Sequence, residues 1–230
     1  MRIRAKNSWR EASNMIDRGF AALAETAETE PPVMPGAVHT TGETARAPSP
    51  SDEQLAAAYQ RSGETSVLEE LARRHLPRVC SLVSQIVLNP GAAEDVTQEV
   101  FLRAFQQLGS FRGKSSFGTW LYRVALNTAY SYLKRRGNTP VEYRGSLHGP
   151  DTNRTSPEDP VLQAELDGEI QAALAELSPK LRSAIVLTSI QGLKAAEAAK
   201  IEGCTITTMY WRIHQARKLL HRRLEEYLSP

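Results

Sequence analysis

The chain has 230 residues, 41% hydrophobic and 23% charged, which is ordinary for a folded protein of one or two domains. A formal net charge of +2 argues against a freestanding protein that binds DNA strongly through its overall charge, so any nucleic-acid binding must depend on local basic patches. No apolar stretch approaches the ~20 residues that cross a bilayer, and residues 1–10 lack the apolar core of a secretory signal, so we expect a cytoplasmic protein without membrane insertion.

The first 50 residues are predicted to form an N-terminal extension that is largely flexible. Within it, Ser8–Glu25 could form a short helix, because Trp9 and Phe20 belong to an apolar set at helical spacing. Residues 30–50 are rich in Pro, Thr, Gly and Ala, which indicates a flexible segment.

Residues 51–136 have helical periodicity almost throughout and predict a first small bundle. Ser51 or Asp52 can cap its first helix. A second helix, from about Ser66 to Leu88, contains Pro77, which should kink it or divide it in two.

A third helix is predicted to start at Asn89 and Pro90, since Asn is a good N-cap and Pro fits the first helical position. It ends near Leu108, and the loop Gly109–Ser115 leads to a fourth helix, Ser116–Arg136.

The region after residue 136 predicts a flexible linker, 137–160, and a second small bundle, 161–230. Its last elements are a short helix, a turn that contains Gly203, and a longer basic helix from Thr205 to about Leu228. This order predicts a helix-turn-helix, in which glycine suits a turn that requires positive φ. We therefore expect an all-α protein of two small helical bundles joined by a flexible linker, with no strand.

The longer basic helix is the strongest physical indication of function, because the second helix of a helix-turn-helix places its N-terminal residues at base edges in the major groove. A basic surface helix in an ordinary bundle is the alternative that spacing leaves open. The candidate DNA-binding side chains are Thr205, Thr207, Thr208, Tyr210, Trp211, Arg212, His214, Gln215, Arg217 and Lys218.

The fourth helix and the loop before it interleave aromatic and basic side chains, which suits single-stranded DNA because bases stack on rings while cations hold phosphates. We expect Phe117, Trp120 and Leu121 to lie in the core, and Tyr130 and Phe111 to be more exposed.

The third helix has a polar face on which one leucine, Leu102, lies among Asp95, Gln98 and Glu99. An isolated exposed leucine is common, and a leucine amid acids and amides could equally be a docking spot for a partner protein.

Residues that usually carry catalysis or metal binding show no matching pattern. Cys80 and Cys204 lie far apart in apolar helical surroundings, and we expect buried free thiols. The five histidines have no metal-ligand spacing with the cysteines. No phosphate-binding glycine loop, nucleophile elbow or acid pair is present. We expect a protein that is not an enzyme and carries no metal or cofactor.

Two stretches closely resemble region 2 of extracytoplasmic-function (ECF) sigma factors, namely Ala93–Phe105 (AEDVTQEVFLRAF) and Phe111–Asn127 (FRGKSSFGTWLYRVALN). The second bundle resembles region 4 of the same family at Leu177–Arg182, Gln191–Leu193, Gly203–Cys204 and Arg212–Arg217. The resemblance covers roughly Ser51 to Leu228 apart from the linker.

The resemblance implies a subunit that binds core RNA polymerase and promoter DNA, and that is held by an anti-sigma factor. A face on the third helix would dock on the polymerase, the loop and fourth helix would read and open the −10 element, and the recognition helix would read the −35 element. The docking residues implied are Asp95, Gln98, Glu99 and Leu102, and the −10 residues are Phe111, Arg112, Lys114, Ser115, Phe117, Trp120, Arg123 and Asn127.

Three departures from the family pattern bear on this expectation. The family usually has a basic residue and a Ser or Thr at Tyr210 and Trp211, and often Arg at Gln215. Glu202 and Ala198 replace larger apolar residues, which should thin the helix-turn-helix core. The segment Ser8–Leu23 has no recognisable counterpart.

Two other functions are compatible with parts of the sequence. A helix-turn-helix transcriptional regulator would explain the second bundle and not the motif in the first. An inactive or anti-sigma-binding relative, whose DNA contacts have decayed, would explain the aromatic pair Tyr210 and Trp211.

Overall fold

The computed structural model describes residues 49–137 and 160–228, and every regular element in these ranges is helical. The all-α expectation is therefore confirmed. The predicted helix at Ser8–Glu25 lies outside the described residues, as does almost all of the predicted linker. The helices in chain order are α1 (Asp52–Ser62), α2 (Thr65–Val87), α3 (Pro90–Gln107), α4 (Phe117–Arg136), α5 (Pro160–Glu176), α6 (Pro179–Ile185), α7 (Ala195–Glu202) and α8 (Ile206–Leu228).

Side-chain caps fix several helix starts where the sequence predicted them. The Ser51 hydroxyl accepts from the N–H of Gln54, whose own side chain accepts from the N–H of Ser51. Asn89 caps α3 by accepting from the N–H of Ala92 at 3.0 Å. Each such bond satisfies a backbone donor that the first turn leaves free.

The helix α2 continues through Pro77, so of the two outcomes expected there, a kink or a division, the division does not occur. Proline lacks one N–H, and the residues next to Pro77 are held in place by burial. Leu76 and Val79 are both buried, and burying such side chains offsets the lost hydrogen bond.

The described residues form two compact units, divided within α2 between Arg73 and Arg74. In the first unit, Leu55 and Ala56 of α1 are buried. In the second unit α3 packs on α4, and α5, α6 and α7 each pack on α8. Within the second unit, we call residues 74–137 the first bundle and residues 160–228 the second bundle.

The guanidinium of Arg182 joins several helix ends in the second unit. It donates to the carbonyls of Leu174 and Leu177 at the end of α5, at 2.8 and 3.1 Å, and to that of Ile86 in α2 at 2.7 Å. Burial lowers the pKa of Arg182 to about 10, so the group remains charged at neutral pH. A buried cation is tolerated here because backbone carbonyls accept hydrogen bonds from the guanidinium N–H groups.

The cysteines Cys80 and Cys204 are free thiols, but each is half-buried, so the expectation of full burial is wrong. Among the described residues, no cluster of His, Cys, Asp or Glu could hold a metal ion. The described helices include none that is long and apolar enough to cross a membrane.

Candidate nucleic-acid interface

The turn between α7 and α8 has the geometry of a helix-turn-helix. Gly203 ends α7 with φ 65°, in the left-handed region where glycine avoids strain. Thr205 then caps α8, because its hydroxyl accepts from the N–H of Thr208 at 3.1 Å. This confirms the role predicted for Gly203.

The helix α8 has a buried face and an exposed face. Met209, Ile213 and Ala216 follow helical spacing and are buried. Tyr210 and Trp211 are 60% and 59% exposed, so the aromatic pair does not face the core. Of the other candidates, Thr205, Thr207, His214, Arg217 and Lys218 are exposed, and Thr208, Arg212 and Gln215 are half-buried.

The aromatic side chains before and within α4 form one cluster. Phe111 contacts Phe117 and Trp120, with ring centroids 5.8 and 5.3 Å apart, and Phe117 also contacts His75 at 5.2 Å. Phe117 is buried, and both Phe111 and Trp120 are half-buried. The expectation that Trp120 lies in the core is therefore wrong. The buried Phe117 packs beneath the half-buried rings of Phe111 and Trp120.

The two basic residues of the loop before α4 are more exposed than its aromatic residue, Phe111. Arg112 and Lys114 are exposed on either side of Gly113, whose φ is 63°. Ser115 is half-buried, and Ser116 caps α4 by accepting from the N–H of Thr119. The loop thus presents two cations to solvent next to the aromatic cluster.

Further along α4, Arg123 and Asn127 are exposed. Arg123 nevertheless donates to the backbone carbonyl of Lys200 in α7. A residue expected to contact DNA is therefore occupied by the second bundle in this structure.

The expected docking residues share one face of α3, as their spacing of three, four and seven residues requires. Asp95 is exposed, and Gln98 and Leu102 are half-buried. Glu99 pairs with Arg103 at 2.5 Å and with Arg135 of α4 at 3.3 Å. Asp95 is the acid of this face best placed for a cationic partner.

The carboxylate of Glu202 lies at the centre of a buried polar cluster, with its side chain fully inaccessible to solvent. It accepts from Lys180 at 2.8 Å, Ser183 at 2.7 Å and Arg212 at 3.0 Å, and also from the hydroxyl of Tyr130. Glu202, which replaces an apolar residue of the family pattern, is therefore the centre of an ion-paired cluster at a place where a thinner apolar core was expected.

Burial on its own would raise the pKa of Glu202, but hydrogen bonds from Lys180, Tyr130 and Ser183 outweigh it and hold that pKa below its usual value. Burial, and then the neighbouring Glu202 carboxylate, raises the pKa of Tyr130 above its usual range. Glu202 is thus ionised and Tyr130 is a neutral donor at neutral pH.

Tyr130 is half-buried, and it is more exposed than the buried Phe117 and Leu121. Its ring also lies beneath the Lys180 ammonium, 4.0 Å from the centroid. Sequence reasoning missed its pairing with Glu202 across 72 positions, although an acid where the family has an apolar side chain was a signal that a donor must be near.

Comparison with known proteins identifies the family of the chain that carries these surfaces. The family model "Sigma-70 region 2" matches residues 71–139, and "Sigma-70, region 4" matches residues 167–220. The chain is 35% identical over 183 residues to the ECF RNA polymerase sigma-E factor of Escherichia coli K12, covering 76% of this chain and 95% of that protein. The chain is an ECF sigma factor of the sigma-70 family.

Another relative and one structure agree with this assignment, and a second structure shares the fold. The RNA polymerase sigma-H factor of Pseudomonas aeruginosa is 32% identical over 187 residues, covering 77% of this sigma factor and 95% of that one. The structure of CnrH with the cytosolic domain of CnrY matches with a TM-score of 0.58 and 26% identity, over 76% of this chain and 97% of that one. The sigma factor RpoE of Bartonella quintana, in complex with the anti-sigma factor NepR, shares the fold with a TM-score of 0.55 and 24% identity, over 68% and 96%.

Proposed function

We propose that this sigma factor binds core RNA polymerase and directs transcription from promoters whose −35 and −10 elements it reads with separate surfaces. The observation that carries the proposal is the exposed face of α8, which follows a helix-turn-helix turn in a chain with both sigma regions. The protein would act in the cytoplasm, with the polymerase supplying the chemistry of RNA synthesis.

The −35 surface is the exposed face of α8. The exposed Arg217 and Lys218 would supply charge for phosphates, and the exposed Tyr210 and Trp211 would enter the major groove. Neither aromatic offers the paired donors that Arg gives guanine, so we expect contact with thymine methyl groups and with groove shape.

The −10 surface is the loop from Phe111 to Ser115 and the exposed side of α4. Arg112 and Lys114 would hold backbone phosphates, while the cluster of Phe111 and Trp120 offers ring faces beside them. Extracting a base from the stack costs a few kcal/mol, which such a pocket must offset.

The polymerase surface is the face of α3 that carries Asp95, Gln98, Glu99 and Leu102. The exposed carboxylate of Asp95 and the half-buried Leu102 together suit a partner with a cation beside an apolar contact.

The decisive experiment is transcription by core polymerase with and without this protein on genomic DNA, with start sites mapped. New start sites that share −35 and −10 motifs are expected. Absence of sigma-dependent starts, despite binding of the protein to DNA, would favour a helix-turn-helix regulator, which the region 2 match argues against.

A second partner follows from the structural relatives. CnrH and RpoE of Bartonella quintana were each determined with a partner, which for RpoE is the anti-sigma factor NepR. We propose that an anti-sigma factor also holds this chain, and affinity capture from cells under inducing and non-inducing conditions would identify it.

A further inference from the structure

Among the basic side chains of α8, Arg212 is turned toward the interior of the second bundle. Its guanidinium donates to the Glu202 carboxylate at 3.0 Å, and its side chain is 17% exposed. Arg217, further along the same helix, is exposed. Helical spacing makes Arg212 a neighbour of the buried Met209 and Ala216. Arg212 therefore lies at the edge of the buried face of α8, whereas Arg217 lies in solvent.

The ion pair between Arg212 and Glu202 bridges the turn of the helix-turn-helix. Glu202 is the last residue of α7, Gly203 follows it in the turn, and Arg212 lies in the second turn of α8. Lys180 and Ser183 of α6 donate to the same carboxylate, at 2.8 and 2.7 Å. Three helices of the second bundle thus meet at one buried charge.

The buried side chains that α7 contributes are mostly small. They are Ala198, Ala199 and Ile201, and two of these three end at Cβ. Because an alanine buries little apolar area, it restricts the rotation of a neighbouring helix less than a leucine or an isoleucine does. Since α7 packs on α8, the ion pair between Glu202 and Arg212 contributes a large share of what fixes α8 at the turn.

The burial of Glu202 also determines whether Arg212 is available to DNA. Moving the Arg212 guanidinium to a phosphate would remove one of the two cations that pair with this carboxylate, whose side chain is inaccessible to solvent. Breaking a buried ion pair is strongly unfavourable because the remaining charge stays in a medium of low dielectric. A phosphate contact at an exposed helix surface is screened by salt and offers less in return. DNA binding would therefore leave the pair in place.

We propose that Arg212 is a positioning residue of the recognition helix, which fixes how α8 leaves the turn through its ion pair with Glu202 and makes no phosphate contact. The effect on DNA binding deepens the proposed reading of the −35 element and rests on it. The ion pair itself rests only on contacts within the second bundle.

The first measurement is a double-mutant cycle on urea unfolding of the full chain, which needs neither DNA nor polymerase. Arg212→Met removes the cation and keeps much of the alkyl chain, and Glu202→Gln removes the charge of the acceptor. The loss of folding equilibrium constant caused by Arg212→Met should be at least about fivefold smaller in the Glu202→Gln chain than in the wild type. Arg217→Met is the matched control at an exposed position and should act alike in both chains. Arg212→Lys keeps the cation without the planar fork and serves the same cycle if Arg212→Met does not fold.

The second measurement is binding of duplex DNA by the full chain, followed by fluorescence anisotropy at a series of salt concentrations. The probes are a short random-sequence duplex and the duplex most enriched from a randomised library. Each phosphate contact steepens the dependence of log K on log salt by about 0.9, so Arg217→Met should reduce the slope by about that amount and weaken both duplexes alike. Arg212→Met should keep the wild-type slope and lower the preference for the enriched duplex at least about fivefold.

Three results would overturn the proposal. They are a slope reduced by Arg212→Met as much as by Arg217→Met, an unchanged preference of Arg212→Met for the enriched duplex, and additive losses of stability in the unfolding cycle. If no variant binds duplex DNA, the proposed reading of the −35 element fails, while coupling in the unfolding cycle would still support Arg212 as the residue that holds α8 at the turn.

Discussion

At the scale of single residues, Tyr210 and Trp211 are adjacent on α8 and both point to solvent. Large aromatic side chains exposed side by side leave apolar area in water, which is unfavourable unless a partner covers it. Because they lie one turn into α8, the helix proposed to read DNA, we expect −35 DNA to be that partner.

We predict that Trp211→Ser changes which −35 sequences support transcription, because the loss of a ring removes contacts with particular bases. Arg217→Ala should instead weaken binding to all sequences and make it less sensitive to salt, as expected for a phosphate contact. Selection of active promoters from a randomised −35 library tests the first change, and salt titration of duplex binding tests the second. Enrichment of one and the same motif by wild type and Trp211→Ser would contradict the base-reading role.

Glu202 makes the stability of the second unit depend on pH in the acid range. In the unfolded chain its carboxyl has a pKa of about 4.3, and in the folded chain the donors around it lower that pKa. The unfolded state therefore takes up the proton first, so the stability from ionised Glu202 is present above about pH 4 and is lost as pH falls through the folded pKa.

We predict that Glu202→Gln removes this contribution. The difference in unfolding free energy between wild type and Glu202→Gln should be large at pH 7 and should shrink below about pH 4. Urea unfolding at a series of pH values measures it, with Glu94→Gln as the control at an exposed acid. A difference independent of pH would mean that Glu202 is not ionised in the folded protein.

At the scale of helices, α3 presents one exposed acid on the face expected to dock on polymerase. We predict that Asp95→Arg lowers affinity for core polymerase at least tenfold while the fold persists, because reversed charge repels a complementary cation. Glu94→Arg is the matched control, since Glu94 is also exposed and points about 100° away around the helix. Competition with another sigma factor for core enzyme measures both, and equal competition by the two variants would refute the docking face.

The loop before α4 has one residue that packs and two that face solvent. Phe111 packs in the aromatic cluster, while Arg112 and Lys114 are exposed. We predict that changing Arg112 and Lys114 together to Ser abolishes permanganate-reactive thymines near −10 while closed complexes persist. Phe111 is left in place so that the bundle keeps its packing. Loss of closed complexes as well would assign the two cations to initial DNA binding.

The helix boundaries could be predicted well from sequence because short-range chemistry determines them. Asn89 with Pro90, Ser116 and Gly203 each act within a few residues of their own position. Pro77 does not divide α2, because burial of its neighbours outweighs one missing hydrogen bond.

The candidate sites were predicted only as faces of helices and as one loop. Spacing indicates which side chains share a face, but it does not indicate which distant group each one meets. The pairs Tyr130 with Glu202 and Ser81 with Gln191 are 72 and 110 positions apart, so no local rule could find them.

At the scale of the whole molecule, the contact between α4 and α7 makes the packing of the second unit depend on alignment, because the Tyr130 hydroxyl meets Glu202 only where the two helices are in register. If α7 were displaced along α4, the buried Glu202 carboxylate would lose one of its four donors, and a hydrogen bond to a charged group contributes about 1.5–3 kcal/mol. Apolar burial alone tolerates such a displacement better, because it has no direction. The side chain at position 202 would thus select one arrangement of the two helices among those that apolar burial allows.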